Sequence, residues 1–169
     1  MLLRPLTRKI TLICHSLSAV GLLGAISTFL VMAVAAFTSV SDAVRGGYHP
    51  AMVLVTLAII VPFALVANLS GLLLALATPW GLFRHHWVSI KFWVTLFATA
   101  VLLLKLRLIM RVADCYGGQS CLLENPHHSE LELVVHAAAG LLVLLVPLSL
   151  SILKPRSLTA YGKRQLGDV

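Results

Sequence analysis

The run Ile10–Phe37, ITLICHSLSAVGLLGAISTFLVMAVAAF, carries no Asp, Glu, Lys or Arg along its whole length. A bilayer's hydrocarbon core is about 30 Å thick and takes on the order of 20 apolar residues to cross as a helix. This run satisfies that length on its own. Three more apolar runs follow at Met52–Thr78, Trp87–Leu104 and Leu131–Leu153. Read together, the four predict an all-α polytopic membrane protein, an antiparallel four-helix transmembrane bundle. Residues 1–169 then form a single membrane domain, with spans at about 10–37, 52–78, 87–104 and 131–153 and an outer loop at 111–130.

Composition agrees. The chain is 59% hydrophobic and 11% charged, which leaves no room for a separate water-soluble domain beside the spans. The basic start (Arg4, Arg8, Lys9) followed by an apolar run resembles a signal peptide, but the run is roughly twice a signal core, so the first helix is expected to remain. The net charge of +7 is spread over loops and is not a nucleic-acid signature. Its placement bears on orientation. Arg4, Arg8, Lys9, Arg84, Lys154, Arg156, Lys163 and Arg164 share one side, and Arg45, Lys105, Arg107 and Arg111 the other. The bias predicts both termini on the cytoplasmic side.

Within the first span, Ser16, Val20, Gly24 and Thr28 recur every four residues and predict a face of close helix approach. Gly46 and Gly47 read as an outer loop, with Pro50 in the first turn of the second span. Pro62 predicts a kink, because its ring removes a backbone hydrogen bond. Trp87, Lys91, Thr95 and Thr99 lie four apart on one face of the third span. The tail from Lys154 is expected to lie along the inner membrane surface.

Ionisable residues inside a span are costly, so each is a candidate for function. His15 lies near the cytoplasmic end of the first span; a neutral imidazole there can ligate haem or a metal, or simply hydrogen-bond to a neighbouring helix. Lys91 lies at similar depth and either snorkels to the headgroups or faces inward toward a carboxylate such as a haem propionate. His85 and His86 stand at the interface beside Trp80 and Trp87, and either could approach His15. His136 falls near the opposite face, at a depth differing from His15 by roughly 15–20 Å, too far to share a metal centre. His128, Glu132 and His136 are spaced four apart and, with His127 and His49, form a candidate outer divalent-metal site. Cys115 and Cys121 read as a disulfide in an oxidising compartment, or as copper or zinc ligands with His127 or His128. Cys14 reads as a small apolar residue.

The segments His15-Ser-Leu-Ser-Ala-Val-Gly-Leu-Leu-Gly24 and Trp87-Val-Ser-Ile-Lys91 resemble the first- and third-helix signatures of a superfamily of small bacterial membrane bundles. Pro79-Trp-Gly-Leu-Phe-Arg-His-His-Trp87, His136-Ala-Ala-Ala-Gly140 and Lys154-Pro-Arg-Ser-Leu-Thr-Ala-Tyr-Gly162 look closer to one branch of it. That branch comprises integral membrane proteins related to the copper-resistance D domain and, remotely, to HemJ-type protoporphyrinogen oxidases. The resemblance implies a four-helix bundle, with His15 associated with b-type haem and Lys91 with function. Leu23 and Lys105 stand where those oxidases carry an aromatic residue and a histidine.

Three functions follow as expectations. The first is a redox or haem-handling protein with haem b at His15 and Lys91, His86 as a further candidate ligand, and a quinone or another carrier as electron partner. The second is copper or divalent-metal handling through His128, Glu132 and His136. The third is a non-catalytic subunit of a larger membrane complex. The four scattered methionines, Met1, Met32, Met52 and Met110, form no copper ladder.

Overall fold

A computed structural model describes residues 4–77, 82–117, 121, 123–153 and 159. Helix α1 runs Pro5–Thr38 and α2 Asp42–Val55. A π-helical turn, Thr56–Ile60, joins α2 without a break to α3, Val61–Ala77. Helix α4 covers His86–Tyr116 and α5 Pro126–Leu153. The segment Asp42–Ala77 acts as one rod, so the described residues give four helices long and apolar enough to cross a membrane. The protein is a multi-pass membrane protein, an all-α four-helix bundle. Its starts and finishes alternate between two ends. The terminal end holds Pro5, Ala77, His86 and Leu153; the disulfide end holds Thr38, Asp42, Tyr116 and Pro126.

Each rod outruns the apolar stretch that predicts it. Helix α2 starts at Asp42, so Gly46 and Gly47 are helical rather than loop, and Pro50 lies inside the helix rather than at its start. Helix α4 continues to Tyr116 and α5 begins at Pro126, which shortens the expected loop at 111–130. The physical reason is pairing at the disulfide end. His49 and Glu130 are buried there and bond to one another, so polar residues that would close a span find partners on neighbouring helices instead.

The kink expected at Pro62 takes the form of the π turn. Pro62 has no amide hydrogen to give Ala58 and its ring would crowd that carbonyl. Widening the preceding turn absorbs the mismatch, with the Val61 amide donating to the Thr56 carbonyl five residues back.

The packing face of α1 is Ser18, Leu22, Ala25, Phe29, Ala33 and Ala36. Ser16, Val20, Gly24 and Thr28, the row expected to mediate close approach, are all exposed. The close approach occurs at Gly21, where an added Cβ would lie 2.2 Å from the Phe63 ring of α3. The core clusters toward the disulfide end: Phe29 and Ala33 meet Met52, Ile109, Val112 and Leu133. Lipid gives helices no solvent-driven reason to associate, so this interdigitation and the polar contacts hold the bundle.

Cys115 and Cys121 form a disulfide, which ties the last turn of α4 to the connection that follows. Cys14 is a free, exposed cysteine. Thr78–Gly81 and all of the tail from Lys154 except Thr159 lie outside the described residues. Thr159 donates its amide to the Arg84 carbonyl at 3.0 Å.

Candidate functional site

Toward the terminal end the helices separate around a cavity of about 430 Å³. His15 of α1, Asn68 and Gly71 of α3, Lys91 and Thr95 of α4, and Ser151 of α5 line it. Every rod therefore contributes a polar or glycine position to one chamber. The expected stripe on the third span does face a common space: Trp87, Lys91, Thr95 and Thr99 all border this cavity.

His15 is held by α3. Its Nδ1 lies 3.1 Å from the Ala67 carbonyl and 3.2 Å from Ser70 Oγ. A carbonyl only accepts, so in the neutral ring Nδ1 carries the hydrogen and Nε2 keeps a bare lone pair. Gly71 makes room for this arrangement, because a Cβ there would stand 3.1 Å from His15 Cε1. The interhelical hydrogen bond weighed for His15 is thus present, and it leaves one ring nitrogen for a ligand.

Lys91 reaches across to α5, where its ammonium donates to Ser151 Oγ at 2.7 Å. The same ammonium lies 5.2 Å from the centroid of the Trp87 ring, within the range of a cation–π contact. Ser151 passes its own hydrogen to the Pro147 carbonyl, so its oxygen is left to accept from Lys91. Asn68 donates to Thr99 Oγ1 at 2.8 Å and to the Ala64 carbonyl, while its Oδ1 is buried without a hydrogen-bond partner among the described residues. A buried amide oxygen that accepts nothing is costly, and this one belongs to a residue of the cavity wall.

His86 does not join the site. It is exposed at the start of α4, and neither it nor His85 lines the cavity. It stands in the first turn of α4, outside the chamber that holds His15 and Lys91.

The outer metal set is not assembled either. Among the described residues no group of three His, Cys, Asp or Glu could hold a metal ion. Glu132 pairs with Lys105 of α4. The His136 ring bonds back to its own helix, Nδ1 to the Glu132 carbonyl at 2.7 Å, and His128 is exposed, with its backbone amide donating to Asn125 Oδ1. Spacing by four put these residues on one helix face, but Lys105 takes the carboxylate.

The residues that do converge at the disulfide end were not grouped from sequence. Glu130 Oε1 accepts from His49 Nε2 at 2.9 Å and lies 3.9 Å from Arg45 Nε, while Oε2 lies 3.4 Å from His127 Nδ1. Tyr116 stacks on His49 with ring centroids 4.9 Å apart. The available signal was spacing: Arg45 and His49 lie one turn apart, as do His127 and Glu130, all near one membrane face.

The architecture and the chamber define a class, a four-span bundle with a polar cavity at one end. Compared with family models, characterised proteins and solved structures, the chain matches none.

Proposed function

We propose that this protein binds haem b in the terminal-end cavity and serves a redox or haem-handling role in the membrane. One observation carries the reading: His15, with Nδ1 tied to a backbone carbonyl and Nε2 bare, shares a chamber with Lys91. Histidines that ligate metals ordinarily donate their other ring hydrogen to a carbonyl or carboxylate, which fixes the tautomer and raises the basicity of the ligating nitrogen. The cavity's size lies within the range of about 300–1,000 Å³ usual for small-molecule sites.

The donor set fits. His15 Nε2 would hold the iron, and the Lys91 ammonium, positioned by Ser151, would neutralise a propionate. Gly71, with no Cβ to crowd the ring, lets His15 take this position. Haem b supplies one-electron chemistry between ferric and ferrous iron when held by an imidazole. Ala67 and Ser70 orient the ring, Trp87 shields the ammonium, and the apolar flank of the cavity keeps the surroundings dry.

Protein purified from haem-replete cells is expected to show a Soret band. His15→Ala should abolish it, and Lys91→Met should weaken haem retention by about tenfold, the effect of losing one charge-assisted hydrogen bond. A colourless preparation, or a band unchanged in His15→Ala, would overturn the reading.

A further inference from the structure

A second cavity, of about 220 Å³, lies beyond the first toward the disulfide end. The two share Leu22, Thr99 and Leu144 as a common wall. The second is almost wholly apolar. Its polar exceptions include His136 of α5 and Lys105 of α4, one helix facing the other. Two of its lining residues, Phe97 of α4 and Val143 of α5, are exposed, which gives it a mouth toward lipid. The π turn forms part of its floor through Thr56 and Ile60, and such turns are frequent where a helix has been reshaped for a site.

The chemistry of the two polar groups is specific. His136 Nδ1 meets the Glu132 carbonyl, so Nδ1 bears the hydrogen and Nε2 is a hydrogen-bond acceptor. Lys105 gives one of its three ammonium hydrogens to Glu132 and has others to donate. A matching ligand must offer a hydroxyl that donates to Nε2 and accepts from Nζ. An ionised fatty acid has no hydrogen for Nε2, and Glu132 already balances the charge on Lys105. A cavity of about 150 Å³ holds a benzene ring, so this one holds a substituted ring whose tail leaves through the lipid-facing mouth. Gly140 and Ala137 on α5 keep one wall low.

We propose that the second cavity binds the head group of a membrane-soluble quinol, its phenolic hydroxyl donating to His136 Nε2 and accepting from Lys105. This inference goes beyond haem binding and does not depend on it.

The test titrates a short-tailed benzoquinol, held reduced without oxygen, into the purified protein in detergent and measures the ligand that co-elutes on gel filtration. About one equivalent per chain is expected. The dimethyl ether of the same quinol, which has no hydroxyl hydrogen, should bind at least tenfold more weakly. His136→Phe, which keeps the ring and removes the acceptor, should weaken binding at least tenfold. Gly140→Leu should do the same by filling the cavity; a Cβ at Gly140 meets nothing within 4 Å, so the fold tolerates it. Equal binding of quinol and ether, equal binding by wild type and Gly140→Leu, or uptake that tracks micelle concentration alone would each overturn the proposal. Soret absorbance read on the same samples separates the two sites. Quinol uptake by a protein that never takes haem upholds this inference and removes the earlier one, and the reverse pattern removes only this one.

Discussion

Glu130 is 1% exposed, and its carboxylate faces His49, His127 and Arg45. Taking one partner out of a buried ionic cluster leaves the others without a counter-charge, which typically costs about 3–5 kcal/mol. Arg45 keeps Asp42 and the Ser39 carbonyl, so Glu130→Ala is expected near the lower bound, about 3 kcal/mol. The Lys105–Glu132 pair is a contrasting case. Its side chains are 34% and 32% exposed, and pairs of that kind contribute at most about 1 kcal/mol. Unfolding titrations in mixed micelles should therefore rank Glu130→Ala well below Glu132→Ala, and equal losses would show that the cluster is not the stabilising element. His15 and Lys91 were legible as single residues because an ionisable group in an apolar run declares itself by its cost. Glu130 was not, because its buried partner His49 and Arg45 come from α2, and a sequence shows only that it opens a helix. That His86 lies off the chamber was not legible for the related reason that sequence gives depth along a helix but not direction around it.

Direction is also what decides the elements. The spacing of Ser16, Val20, Gly24 and Thr28 is a genuine helical row, and it faces outward. Small residues permit close approach without requiring it, and the bulky apolar residues beside them compete for the interior. In α1 Leu22 and Phe29 win that competition, and Gly21, one position round, receives the Phe63 ring. Gly21→Leu must displace that ring or the α1–α3 contact, and overpacking of this type costs about 1–3 kcal/mol. A Cβ at the exposed Gly24 meets nothing within 4 Å, so Gly24→Leu is expected not to lower stability. Measured side by side by thermal unfolding in detergent, the two substitutions test which face of α1 is inside. Loss of stability in Gly24→Leu alone would reverse the assignment. The four rods themselves were legible, since length and apolarity are enough to define them. Their ends were not, because the polar turns that extend α2, α4 and α5 are stabilised by one another.

Across the whole molecule, packing is uneven. The hydrophobic core lies from the middle of α1 toward the disulfide end and walls the second cavity through Phe29, Ile109 and Leu133, while the His15 cavity lies where the rods separate. The disulfide belongs to the packed end. It closes a loop of six residues' separation beside Tyr116, which stacks on His49 and lies beneath Arg45. The chain-entropy model gives such a short loop about 2 kcal/mol. The double substitution Cys115→Ser with Cys121→Ser should lower stability by about that amount. Its structural effect should be local, because Tyr116, His49 and Glu130 form one contact set and the His15 cavity is walled by other turns of the same helices. Amide exchange is therefore expected to quicken at the end of α4, the start of α5 and the start of α2. Exchange around His15 and Lys91 should stay unchanged, and so should any haem spectrum. A uniform rise along all four rods would mean that the bundle opens as a single unit, and the division between the packed disulfide end and the His15 cavity would fail.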